Sequence, residues 1–366
     1  MSNARKLADN LPTDGQLGNR NLIINGAMEV AQRGTSFSPP SSGAYVVDRF
    51  HQYQGGGGVL YYEQSTDAPA GFKNSLKITV NTADSSIASG DFYYMRYEAE
   101  GSDCSRLSLG TSDAQEFTFS FYVKSSLTGT FSGAFQNSAV NRVYVFEYTI
   151  NSANTWERKT VTLTGDTSGT WLTNTSVGLR IAFDLGNGSS LRSSAGEWAG
   201  SGNYGSTGSV ELVGTASATW FITGVQLEVG EATPFEHRSY GDELARCQRY
   251  YEKSFTQDTA PVAGIGMPDR IVGTSFSTLN NTLGTYQEFS VTKRASPTMT
   301  IYRTSAAGSA ASGSANWYNG SSWQETTSIT TSANERVFRV DLGSLTGAGF
   351  GDAFLVGLHY TADAEL

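Results

Sequence analysis

From Asn21 to about Glu236 the chain is a succession of short runs in which apolar and polar residues alternate, separated by clusters of Gly, Asn and Ser. The runs 76–80, 117–123, 159–164, 177–183 and 218–229 alternate with period two. Such alternation turns one face of a strand to a core and the other to water. The run 143–150 is apolar or aromatic at most positions and reads as a strand buried on both faces, or as one with large aromatics outward. Six or more such strands predict a β-sandwich, of jelly-roll type. A Gly/Ser-rich stretch, 186–214, reads as a long surface loop outside the core. The period changes at 242–255, where Leu244, Cys247, Tyr251 and Phe255 fall at spacings of 3, 4 and 4. That spacing predicts one helix of three to four turns with a single apolar stripe. The strand pattern then resumes at 289–291, 299–302, 337–340 and 353–360, around a Ser/Ala/Gly/Thr stretch at 305–328. Near the start, residues 4–11 hold a short helical pattern ended by Pro12 and the turn Asp14-Gly15. About two turns of helix are not stable alone, so this segment must dock on a larger body or stay mobile. The expected fold is all-β: an N-terminal segment over 1–20, a jelly-roll sandwich over 21–240, a connecting helix over 241–258 and a second, smaller β-domain over 259–366.

Composition supports the β reading. At 366 residues, two domains are expected, or three small ones. Hydrophobic residues make up 38% and there are 41 glycines, so a sizeable core can be buried. Charged residues make up only 16%, Ser, Thr and Asn taking the place of the Lys and Glu that helix surfaces prefer. The net charge of −9 argues against nucleic acid or an anionic membrane as partner, since both call for basic patches. No apolar run approaches the 18 or so residues of a membrane span. The first 15 residues show no secretory apolar region, so no signal peptide is expected, and a route out of the cell, if there is one, is a different one. Cys104 and Cys247 are far apart and read better as small buried hydrophobes than as a disulfide.

Much familiar chemistry is missing. His51, His237 and His359 lie in three separate regions, and no pair has metal-ligand spacing. There is no G-x-S-x-G, P-loop or dinucleotide fingerprint. Gly55–Gly58 reads as a turn between two strands, because no Lys-Ser/Thr and no helix follows it. A carboxylate pair of glycosidase type is not legible from sequence. No catalytic residue, metal or cofactor is assigned. Aromatic residues are the stronger signal, at 12% of the chain. Trp156, Trp171 and Trp220 sit in or beside strand patterns and are expected in the core. Trp198, Tyr204, Trp317, Tyr318 and Trp323 sit in Gly/Ser-rich stretches. A ring in a polar loop either folds back as a plug or subunit contact, or offers a flat face on which the apolar side of a sugar stacks. These five are the candidate glycan-binding residues.

Three segments carry a family resemblance. They are 21–35 (NLIINGAMEVAQRGT) with 45–50 (YVVDRF), then 225–230 (VQLEVG) with 232–251 (ATPFEHRSYGDELARCQRYY), and the tail 359–366 (HYTADAEL). Together with the leader 2–9 they resemble bacteriophage tail-fibre and receptor-binding proteins that contain a carbohydrate-binding-module-like jelly roll. The resemblance implies a non-enzymatic, homotrimeric virion protein, docked to the tail or other virion proteins by its N-terminal segment and attaching to host cell-surface glycan. It implies release by lysis, which agrees with the missing export signal. Related modules hold a structural calcium between two acids. Glu29 matches the first, but Gly224 stands at the second, so none is assigned. From the residues themselves, Asn25-Gly26 is a turn pair. Asp48-Arg49 is expected as a buried ion pair that pins the first loop to the sandwich, and Glu236 with Arg238, flanking the junction, to do the same for the helix. Leu244, Cys247, Tyr251 and Phe255 are the candidate trimer contacts, the alternative being a helix packed across its own sandwich. Two other functions stay open: a tail adaptor or capsid decoration protein, and a polysaccharide depolymerase.

Overall fold

The structure is a computed structural model, and it describes residues 18–200, 203–257, 259–264, 271–276, 283–304, 312–318, 321–343, 345 and 353–366. The expected N-terminal docking helix lies outside the described residues. The chain divides into two compact units. The first runs to Ala31, resumes over Thr35–Glu243 and includes Leu366; the second comprises Gln32–Gly34 and Leu244–Glu365.

The first unit is a jelly-roll β-sandwich. One sheet has the order Ser36–Phe37, Val59–Ser65, Ser75–Thr82, Thr219–Val229, Phe117–Ser125, Glu157–Leu163. The other has the order Trp198–Ala199, Val143–Ile150, Gly129–Gln136, Val177–Asp184, Phe92–Glu100, Phe50–Gly55, Tyr45–Val47. Alternation sends Phe117, Phe119, Phe121 and Val123 inward from the first sheet and Leu179, Ile181 and Phe183 inward from the second. They meet edge to face: Phe121 lies 5.3 Å from Phe183 and 5.0 Å from Tyr148, both near 87°. Each such ring contributes about 1.5–3 kcal/mol by burial, with a further fraction from the tilted geometry. Trp171 and Trp220 are in this core as expected. Trp156 is not: it sits on the outer face, its indole N–H donating to Asp67 Oδ1 at 3.1 Å.

Three local features close the sandwich. Asn25 takes a left-handed φ of 60°, and a Cβ on Gly26 would fall 2.1 Å from the Val225 carbonyl oxygen, so only glycine fits this turn. The Asn21 side chain bonds Val225 O, Ile23 N and Leu227 N, lacing the first segment to the last strand. Arg238 pairs with Glu236 at 3.5 Å and Glu243 at 3.3 Å and donates to Ile23 O, the pinning role its spacing suggested. Arg49 is buried, and its guanidinium donates to Glu98 O at 2.5 Å. Both cysteines are free and buried.

The second unit is organised by its last strand, Ala353–Asp363. Tyr251–Lys253 and Thr298–Arg303 both pair with its C-terminal half, and Ile271–Phe276 and Ala315–Tyr318 both pair with its N-terminal half. A separate antiparallel sheet has the order Leu283–Glu288, Val337–Leu342, Ile329–Ala333. The residues Gln32–Gly34 complete the unit as a strap. Gln32 Nε2 donates to Tyr251 O at 2.7 Å, and the Arg33 guanidinium lies 3.6 Å over the Tyr251 ring. Arg33 also bonds Asp363 and Glu365, each at 3.3 Å.

Several sequence expectations need correction. The helix spans Tyr240–Gln248, not 242–255. Ser239 Oγ caps its start by accepting from Asp242 N. Its end is fixed where the Lys293 ammonium takes the Gln248 carbonyl at 2.6 Å, after which Tyr251–Lys253 is drawn into the sheet. The strand expected at 289–291 is instead Leu283–Glu288, immediately before it. The 186–214 stretch is not wholly outside the core, since Leu212 and Val213 are fully buried in it. The 305–328 stretch contains the paired strands Ala315–Tyr318 and Trp323–Thr326. Strands that the sequence pattern did not show include Phe92–Glu100 and Gly129–Gln136 in the first unit and Ile271–Phe276 and Ile329–Ala333 in the second.

Candidate functional site

The missed strand Phe92–Glu100 sends Tyr93, Met95 and Tyr97 into the core. Its alternate positions, Tyr94, Arg96 and Glu98, therefore lie on the outer face of the seven-stranded sheet. Register then decides their neighbours. Tyr53 stands opposite Tyr94 and His51 opposite Arg96 on one side. On the other, Asp184 stands opposite Tyr94 and Arg180 opposite Glu98, with Gln136 opposite Arg180 on the next strand.

Tyr53 and Tyr94 stack at 4.9 Å and 20° between planes, and Tyr204 stacks on Tyr94 at 4.4 Å and 13°. The Arg96 guanidinium lies 4.3 Å over the Tyr53 ring and donates to its hydroxyl at 2.5 Å. Glu98 Oε1 accepts from Arg180 Nε at 2.6 Å and lies 3.4 Å from Arg96 Nη2. Burial pushes the Tyr53 phenol up, with Arg96 acting against it, and burial raises Tyr94 further. Both hydroxyls are therefore neutral hydrogen-bonding groups at ordinary pH. Gln136 Nε2 donates to Asn203 O at 2.7 Å, while its buried Oε1 has no hydrogen-bond partner among the described residues. The result is three parallel rings edged by two guanidiniums, a carboxylate and an amide.

Tyr204 reaches this face because its loop is tied down. Asp184 is fully buried and accepts from Gly186 N, Asn187 N and Asn187 Nδ2 through Oδ1. Its Oδ2 accepts from Arg192 Nε at 3.0 Å, Ser209 Oγ at 3.1 Å and Ser132 Oγ at 3.3 Å. Gly205 sits directly on this knot, where a Cβ would fall 2.0 Å from Asp184 Oδ2. Ser206 N donates to Ser132 Oγ and Tyr204 N to Leu191 O, both at 2.9 Å, which fixes the backbone on either side of Gly205.

Of the five ring residues picked from sequence, only Tyr204 joins this arrangement. Trp198 belongs to the same unit but serves as a plug: it meets Trp171 and Tyr144 edge to face, and its indole N–H donates to Thr164 O at 2.8 Å. Trp317 is 2% exposed in the core of the second unit. Tyr318 and Trp323 form a pair there, 5.5 Å apart, with Trp323 38% exposed beside Gly357. Tyr53 and Tyr94 were not singled out. The one available signal was the alternation of Phe92-Tyr93-Tyr94-Met95-Arg96-Tyr97, whose continuous aromatic content hides its period.

The expected trimer stripe does not exist as one helical face. Leu244 and Cys247 are on the helix, but Tyr251 is on a strand and Phe255 beyond it. Cys247, Tyr251 and Phe255 are buried within a single copy, Phe255 stacking on His359 at 4.3 Å, so these three are spent on internal packing. Among the described residues, no three His, Cys, Asp or Glu side chains come together in a way that could hold a metal. Among the described residues, no helix is long and apolar enough to cross a membrane.

No protein family model matches the chain, and no curated protein matches it. Matches among solved structures are remote. The enzymatically active domain of bacteriophage CBA120 tailspike protein 4 shares 13% identity over 57% of this chain and 21% of its own, with a TM-score of 0.31. A CBM4 structure shares 15% over 56% of this chain and 98% of its own, at 0.32. A putative sugar-binding protein from Bacteroides thetaiotaomicron shares 12% over 58% of this chain and 100% of its own, at 0.32. This chain thus spans about a fifth of the tailspike's length.

Proposed function

We propose that the first unit binds carbohydrate through the Tyr53–Tyr94–Tyr204 face, and that the chain is a non-enzymatic virion protein of the tail-fibre kind, attaching to host cell-surface glycan. The observation that carries the reading is the tyrosine stack. Three rings stacked at 4.4 and 4.9 Å, on a rigid sheet and a tied loop, form a prearranged apolar ridge in which Tyr94 is buried and the half-buried Tyr53 and Tyr204 reach solvent. A sugar offers such a surface its C–H side, while its hydroxyls reach for edge groups of the Arg180, Gln136 and tyrosine kind. Sites of this type gain little from any one bond. Pre-organisation and multivalency supply the useful affinity, and the homotrimer implied by the sequence resemblance fits that need.

The test is binding of the purified chain to bacterial cells, with the molecular mass of the same preparation measured by light scattering. The expected result is a trimer that stains cells, loses staining once surface glycans are oxidised by periodate, and is weakened tenfold or more by Tyr204→Ala. A protein that ignores every cell and every glycan but rejoins phage particles lacking it overturns the reading in favour of a structural virion component.

A further inference from the structure

Beside the tyrosine face, two guanidiniums are held by one carboxylate. Arg96 and Arg180 both address Glu98 Oε1, at 3.4 and 2.6 Å, and the Glu98 side chain is 3% exposed. His51 stands next to them, its Nε2 3.3 Å from Arg96 Nε and 3.8 Å from Glu98 Oε2. On the far side of Tyr94, Arg192 is shared between Asp184 at 3.0 Å and Glu211 at 3.1 Å. Glu100, two residues beyond Glu98, accepts from Ser102 Oγ at 2.7 Å. The charged groups that act on the Tyr53 hydroxyl are Arg96, Glu98 and Arg180: two cations and one anion. Beside the tyrosine stack, then, two guanidiniums share one buried carboxylate in a protein of net charge −9.

Arg180 has capacity to spare. Its Nε bonds Glu98 and its Nη1 donates to Ser138 O at 2.8 Å. Its side chain remains 18% exposed, more than that of Arg96 at 10%. The unsatisfied Oε1 of Gln136 belongs to the residue directly opposite Arg180 in the sheet register. A guanidinium and an amide acceptor are thus paired across adjacent strands. A guanidinium fork suits a carboxylate, and an amide oxygen suits a hydroxyl.

Resting on the carbohydrate reading above, we infer that this face selects sugars bearing a carboxylate, of the uronic or sialic acid class, with Arg180 as the group that receives the carboxylate and Gln136 as an acceptor for a neighbouring hydroxyl. The tyrosine stack supplies affinity for sugar rings in general. Arg180 supplies the preference among them. Glu98 holds both guanidiniums in place and prevents the pair from repelling one another.

The experiment uses the full chain on a glycan array in which each acidic glycan is printed beside its carboxyl-reduced, neutral counterpart. The expected result is retention of acidic members at least tenfold above their neutral partners, a ratio that falls between 50 and 500 mM NaCl as charge is screened. Arg180→Gln is expected to abolish that ratio, with retention of acidic members falling at least tenfold further than that of their neutral partners, and Arg180→Lys to restore part of it. A melting curve for each variant separates a lost contact from a lost fold. Equal retention of acidic and neutral members, or an acidic preference that survives Arg180→Gln, overturns this inference and leaves the carbohydrate reading standing. An array that retains nothing removes the carbohydrate reading, and this inference with it.

Discussion

Replacing Asp184 by alanine tests how the site is held together. The carboxylate accepts bonds from two backbone amides, the Asn187 amide, the Ser132 and Ser209 hydroxyls and Arg192. Its side chain is 0% exposed and that of Arg192 only 6%. Removal leaves a buried guanidinium with only the exposed Glu211, 3.1 Å away, as counter-ion, and several buried donors without an acceptor. Breaking one side of such a pair costs about 3–5 kcal/mol. The individual bonds share one anion and do not add, so about 4 kcal/mol is the working figure. For a unit of this size that lowers the melting temperature by about 8–16 °C. The loop carrying Tyr204 should also detach from the sheet, so sugar retention should fall more steeply than stability alone dictates at a temperature where the protein is still folded. Calorimetry and glycan retention on the same preparation read the two effects separately. Gly205→Ala attacks the same knot from the loop side, where the new methyl overlaps Asp184, and should reproduce both losses. An Asp184→Ala protein that melts within about 2 °C of the parent and keeps its sugar binding would refute the idea that this carboxylate is what places Tyr204.

Two further outcomes are expected. Trp317→Ala should destabilise the second unit by about 3–5 kcal/mol, because it empties a core position, whereas Trp323→Ala, which removes a partly exposed ring paired with Tyr318, should cost about 1–2 kcal/mol; denaturant titration distinguishes them, and equal effects would contradict the packing described. Burial pushes the Glu157 carboxyl up, but bonds from Lys159, Ser152 and Asn151 outweigh it and hold the group down to about 2. A carboxyl lowered on folding stabilises above the ordinary glutamate range and loses that contribution as pH falls through its folded value. Urea unfolding at pH 7 and pH 3 should therefore show a larger drop for the parent than for Glu157→Gln, and equal drops would remove Glu157 from the account.

The sandwich was legible because its strands obey period two where one face meets water. The run 143–150 was found whole, since β-branched and aromatic residues leave it no other conformation. Phe92–Glu100 was lost for the opposite reason: its outer face is itself buried and begins with aromatic residues, so inward and outward positions over Phe92–Tyr94 look alike in hydropathy. Gly129–Gln136 was lost because Gly133 and Ala134 pack closely under neighbouring strands and read as turn residues. The helix was over-extended because Tyr251 and Phe255 continue its spacing by coincidence. What ends it, Lys293 on the Gln248 carbonyl, lies too far along the chain for any local pattern to report. The same holds for the site. Tyr204 was visible as a ring in a polar loop, but its partners were chosen by strand register, a non-local property.

The strap at Gln32–Gly34 has a consequence for the order in which the molecule is made. Arg33 is synthesised early, while Asp363 and Glu365, the carboxylates that receive it, come more than three hundred residues later. Everything between Thr35 and Glu243 belongs to the first unit and can collapse as soon as it emerges. The clasp on the second unit therefore closes last, and only on a polypeptide that has been translated as far as its final strand. A chain cut short before Asp363 would carry a finished sandwich and an unlatched second half. That makes sensitivity to protease at 244–365 a direct readout of whether translation ran through.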